Sequence, residues 1–306
     1  MQRWEALLFD FGYLGYAAAL VLAVVYALTR RDDLMALGHR LLVGAALLHS
    51  ASLAVGLWAE SHRPGHVGYA FWSQWFASLS LFALLIVLIY LFAQHRAPVS
   101  ILGVFVLPLA VFLLTLALTQ AFLASPRCPF ASVEDFLKIA DATRRQPDIA
   151  PTFWTAVHVP LIFLAYAAFA NAFGIGLAYL IGERQIKSHR PTELGYRLPA
   201  LEVMDRLIAH IVLIGFPALT VGLALGAGGA RAAGGPGWAG DPKVLWSLVM
   251  WGVYLSYIVL RYVVGWRGRR TAYLSLAGFG VVLFTYVGVS FFSRMHGFLQ
   301  AGGALP

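Results

Sequence analysis

Runs of roughly twenty apolar residues recur along the whole chain, at Phe9–Thr29, Leu41–Ala59, Phe71–Ala93, Ile101–Leu123, Thr155–Ile181, Leu207–Leu225, Val244–Leu260 and Thr271–Phe292. A helix that crosses a bilayer needs about 20 such residues, and a soluble domain has no use for eight of them. Composition agrees: 60% of residues are apolar and 12% charged, where soluble domains carry about 25% charge. No alternating ten-residue pattern of a membrane β-barrel is present, so the spans read as helices. The expectation is an all-α, polytopic membrane protein of about eight transmembrane helices in a single domain, 1–306. Its first part, 1–152, holds four spans and a polar segment; 153–300 holds the other four.

The formal charge of +8 would suggest nucleic acid as a partner in a soluble chain. Here the basic residues lie in short loops between spans, so they read as topogenic and no nucleic acid is expected. One set of loops holds 13 Lys and Arg and the opposite set 9, which places both termini on the outer, periplasmic side. The partner implied directly is the lipid bilayer, and the expected location is the inner (cytoplasmic) membrane of a bacterium. Cys128 is the only cysteine, which excludes an intramolecular disulfide, a CxxC pair and a covalent haem site on this chain.

Four of the nine histidines carry the chemistry. His158 at the head of span five and His296 just past span eight belong to one face of the membrane. They flank a glycine-rich loop, 226–243, with Trp238, Asp241 and Lys243, which reads as too rich in glycine for a regular helix. Two neutral imidazoles from different helices suit the axial positions of haem iron, with aromatic side chains against the porphyrin. His49 in span two and His210 in span six lie at membrane depth. They are candidates for an internal haem site, or else bundle-interior imidazoles bonded to neighbours. Asp205 and Arg206 read as caps at the start of span six.

The stretches HVPLIFLAYAAFA from His158, IGFPALTVGLALGA from Ile214 and GWRGRRTAYLSLAGFGVVLFTYVGVSFF from Gly265 resemble the CcsA/CcmC/CcmF group of haem-handling cytochrome c assembly proteins, and its CcsA (ResC) branch most. The resemblance covers Phe153–His296. It implies that His158 and His296 ligate a non-covalent haem b, with the loop as the family's haem-facing WWD segment: Trp238, Asp241, Pro242 and Lys243, then Trp246. It further implies attachment of haem to the CxxCH thiols of an apocytochrome c, with a ResB-type membrane protein and thiol-reducing proteins as partners.

The loop departs from the family pattern. Gly234, Gly237 and Gly240 stand where aromatic residues are usual, Val244 replaces Glu, and Val259 occupies the place of a membrane-embedded histidine. One of three loop tryptophans remains. These departures keep two further readings open. One is a relative that does not synthesise cytochrome c, such as a HemX-like regulator or an integral subunit of a respiratory complex. The other is a transporter, for which the halves lack matching broken helices. Whether the chain acts as an enzyme stays open with them.

Overall fold

The computed structural model describes residues 2–29, 31–62, 71, 75–96, 99–123, 153–189, 192, 195–232 and 238–288. Every regular element among them is a helix. The main helices are α1 (Gln2–Thr29), α2 (Asp32–Ser61), α3 (Trp75–Arg96), α4 (Gly103–Leu123), α5 (Phe153–Ser188), α6 (Leu201–Ala232), α7 (Pro242–Tyr262) and α8 (Arg269–Leu283). A π-helical turn, Phe284–Gly288, continues α8.

These eight helices coincide one for one with the eight apolar runs. Seven are long and apolar enough to cross a membrane. The eighth is described only as far as Gly288, so the last residues of its predicted span lie outside the described residues. The protein is a multi-pass membrane protein.

The helices pair as neighbours in sequence, α1 with α2, α3 with α4 and α5 with α6, and α5 also packs on α3, α4 and α8. Its central place follows from its sequence. Ala165, Ala167, Ala168, Ala170, Ala172 and Ala178 are all buried. In lipid, apolar burial gives little drive between helices, so small side chains that let backbones approach decide which faces meet. Large apolar residues such as Leu14, Leu47, Phe112 and Leu248 remain exposed on the outside of the bundle, where a bilayer solvates them.

Two local expectations are corrected. The segment 226–243 is not a loop throughout, because α6 stays helical to Ala232. Glycine costs about 1 kcal/mol per helical position relative to alanine, but Gly226 and Gly229 let α5 approach, since a Cβ there would fall 2.6 Å from His158 and 3.1 Å from the Trp154 Cβ. Asp205 and Arg206 are not caps, since α6 already begins at Leu201. Arg206 pairs on the surface with Glu202 at 3.8 Å, and Asp205 points inward.

Candidate functional site at the His158 end

His158 sits in the second turn of α5 and directs its ring at α6. Nδ1 lies 2.7 Å from the carbonyl oxygen of Gly222. A carbonyl only accepts, so Nδ1 carries the proton and donates it, and Nε2 keeps its lone pair. A metal-ligating histidine is commonly held in this way, with one ring nitrogen tied to a carbonyl and the other free to bind.

The ring reaches that carbonyl because α6 has no side chains in the way. A Cβ on Gly226 would fall 2.6 Å from Cε1 and 2.7 Å from Nδ1 of His158. One turn earlier, a Cβ on Gly222 would fall 2.9 Å from Cδ1 of Ile162. The imidazole therefore occupies a notch that glycine alone permits. Trp154, one turn before His158 on the same face of α5, is 42% exposed.

The start of α7 supplies the other half of this end. Asp241 is buried and caps the helix, its carboxylate accepting from the Lys243 amide at 2.8 Å, with Pro242 in the first turn. The Asp-Pro-Lys triplet thus has a local reason. An N-cap acceptor satisfies an unpaired amide, and proline fits the first turn because it has no N–H to lose. The Lys243 ammonium is near enough to both Asp241 and the His158 ring for its charge to act on them. Trp246, a turn further on, meets Phe284 of the π-helical turn edge to face, with centroids 4.6 Å apart. Both rings are more than a third exposed.

The fold thus gathers His158, Asp241, Lys243 and Trp246 at one end of the α5–α8 group. His296, Gly234, Gly237 and the side chain of Trp238 lie outside the described residues. Sequence reasoning missed Trp154, Phe284 and the supporting pair Gly222 and Gly226. The four-residue step from Trp154 to His158 was a visible signal, whereas the glycines' role depends on a helix 64 residues away.

The two deeper histidines are placed differently. His49 is fully buried, with Nδ1 3.2 Å from the Tyr16 hydroxyl and Nε2 2.6 Å from that of Ser80. Rings of Phe9 and Tyr16 flank it edge-on. Both of its nitrogens are engaged, and the imidazole links α1, α2 and α3. His210 lies on the exposed face of α6, whose main packing partners are α5 and α7. The described contacts do not bring the two together.

The far end of the same helix group holds a buried ion pair. Arg261 of α7 donates to Asp205 of α6 at 2.7 Å, with both side chains about nine-tenths buried. The same carboxylate oxygen accepts from the Gly268 amide at 2.8 Å and the Thr271 hydroxyl at 3.1 Å. Three helices are tied at this point, and the charge is matched where it is buried.

Comparison with known proteins follows the same residues. The family model described as Cytochrome C assembly protein matches residues 72–296. The chain is 28% identical to the cytochrome c biogenesis protein CcsA of Synechococcus sp. (strain JA-3-3Ab), over 96% of this chain and 94% of that protein. It is 26% identical to CcsA of Gloeobacter violaceus, over 91% and 92%. It is likewise 26% identical to CcsA of Guillardia theta, over 82% of each. With more than two thirds of its length inside the family match and eight helices in the expected order, the chain belongs to the cytochrome c assembly protein family, as a CcsA-type multi-pass membrane member with a role in cytochrome c biogenesis.

Proposed function

We propose that the chain holds haem b at the His158 end and serves its attachment to an apocytochrome c on the outer side of a bacterial inner membrane. The observation that carries this reading is the His158–Gly222 hydrogen bond. It sets the tautomer, fixes the ring plane and leaves the lone pair on Nε2, which is what a ligand to haem iron would require. The residues present suit the group: a preset imidazole, exposed aromatic rings at Trp154, Trp246 and Phe284, and a lysine of the charge that a propionate needs.

In this reading His158 and His296 would hold the haem iron, Trp238 and Trp246 would pack against the haem, and Lys243 would pair with one of its propionates. Asp241 holds the α7 terminus that carries Trp246 and Lys243. When bound, haem supplies two vinyl groups, across which thiol S–H bonds add to give thioethers. The chain needs no catalytic side chain for that addition; holding the partners in register raises their effective concentration. A ResB-type membrane protein and thiol-reducing proteins complete the proposed machinery.

The test is an oxidised and reduced absorption spectrum of the detergent-purified protein beside H158A and H296A. Sharp reduced α and β bands that disappear in either variant support the reading. Haem bands that survive both substitutions overturn it.

One observation favours a second reading, a haem-binding relative without synthetic activity, such as a regulator or a respiratory-complex subunit. Around Gly240 a Cβ would meet nothing within 4 Å among the described residues, so a side chain can start there without a clash, and the glycine in place of the family's usual tryptophan is not required by contact at Cβ. Co-expression with a ResB-type partner and a CxxCH apocytochrome separates the two, since only the first reading yields covalent haem.

A further inference from the structure

The turn between α7 and α8 forms a basic cleft that the proposed haem chemistry does not use. It has a volume of about 590 Å³ and is lined by Glu183 and Lys187 of α5 and by Val264, Gly265, Trp266, Arg267, Arg269 and Arg270. Four cations face one acid. Glu183 is shared between Lys187 at 2.6 Å and Arg269 at 3.8 Å, and Arg269 also donates to the Tyr273 hydroxyl at 3.2 Å. Arg270 lies 5.5 Å from the centroid of the Trp266 ring. The nearest buried acid, Asp205, is already matched by Arg261. Positive charge therefore exceeds negative in the lining by three, and Arg267 and Arg270 face no carboxylate in it.

The turn is held in shape. The Val263 and Val264 amides both donate to the Val259 carbonyl, at 2.9 and 3.1 Å, and the Trp266 amide donates to the Leu260 carbonyl at 2.8 Å. Gly265 and Gly268 take φ values of +82° and +69°, which other residues rarely adopt. Beside the arginines, Tyr262, Val263 and Val264 are 52%, 79% and 58% exposed. Exposed valines and a tyrosine abutting a basic cleft at the ends of spanning helices form the two-part surface that a phospholipid presents in complement: acyl chain beside an anionic phosphate.

We infer that this cleft binds an anionic phospholipid, its phosphodiester taken by Arg267 and Arg270 and its acyl chains lying along Val263 and Val264. Arginine suits this role because its planar fork offers paired donors to phosphate oxygens. Topogenic charge alone requires neither a preformed cleft nor apolar side chains set beside it. The inference stands apart from the haem reading, since none of these residues belongs to the His158 end.

Native mass spectrometry of the full-length protein in detergent, titrated with phosphatidylglycerol, phosphatidylcholine or sodium phosphate, tests it. Expected is one retained phosphatidylglycerol adduct, bound at least fivefold more tightly than phosphatidylcholine. The adduct should weaken at least fivefold in R267Q/R270Q and remain unchanged in R31Q, which removes an exposed arginine paired with Asp33. R267K/R270K, which keeps the charge, should retain part of the binding and show that the turn is intact. Equal binding of the two lipids, or binding indifferent to R267Q/R270Q, overturns the inference. Inorganic phosphate that competes as tightly as the lipid overturns the lipid assignment.

Discussion

The two ends of the α5–α8 group use buried polar atoms in opposite ways. At one end Asp205 draws Arg261, the Gly268 amide and the Thr271 hydroxyl onto a single oxygen, so the polar groups of three helices satisfy one another. At the other end His158 is tied, among the described residues, through Nδ1 to the Gly222 carbonyl, and exposed aromatic rings stand at the same end. A network closed on itself holds helices together, and the proposed haem reading rests on the imidazole that such a network does not close. Along α6, Gly222, which holds the His158 ring, lies 17 residues beyond Asp205, about 26 Å at helical rise. The two arrangements therefore stand at opposite ends of the helix group.

Substitutions test this contrast. The largest effect is expected at the closed end. D205A leaves the Arg261 guanidinium buried without its carboxylate and should cost about 3–5 kcal/mol, read as a lowered thermal midpoint in detergent. D205L/R261M removes both charges and should recover most of that loss. If the double variant is as unstable as the single one, the pair is not acting as a matched charge. At the open end, G226A puts a methyl group 2.6 Å from the His158 ring. Overpacking of this kind costs about 1–3 kcal/mol, and the displaced ring should lose the haem bands while helical content by circular dichroism stays unchanged. Haem bands as in the parent protein would mean that the notch does not set the ligand.

H49A extends the comparison to a third polar node, also closed, between Tyr16 and Ser80. It should destabilise by about 1–3 kcal/mol through the hydroxyls left unpaired. Its haem spectrum should be that of the parent; a changed spectrum would bring His49 into the site. D241A removes the α7 cap for about 1 kcal/mol and should loosen haem retention more than it lowers the thermal midpoint. The smallest effect, and the only gain, is expected from G240W, which adds an aromatic ring at a position where a Cβ meets nothing within 4 Å among the described residues. An added aromatic contact of about 0.5–1.5 kcal/mol corresponds to haem retained roughly two- to tenfold longer on dilution.

The fold was legible because lipid allows few solutions. Eight apolar runs became eight helices with ends displaced by up to nine residues, most visibly at the start of α2, which begins at Asp32 where the run begins at Leu41, because a helix runs on beyond its apolar core. The Asp241 end of the site was legible through the family resemblance, and the cap explains why Asp, Pro and Lys stand together. Gly226 misled for a physical reason. Its low helix propensity is a local property, whereas the room its missing Cβ leaves for the His158 imidazole depends on α5. Asp205 misled in the same way: as an acid near a helix start it looked like a cap, and its partner lies 56 residues further on.

The sequence by itself determined that this chain spans a membrane repeatedly as helices, because a backbone in hydrocarbon must satisfy its own hydrogen bonds and about 20 apolar residues are needed for each crossing. Those are requirements each segment meets alone. Only the tertiary structure decided that His158 ties Nδ1 to the Gly222 carbonyl, that Asp205 holds Arg261, and that both nitrogens of His49 are engaged. Each of these depends on which helix faces which, and at distances of 2.6–3.2 Å that is set by the close fit of side chains distant in sequence.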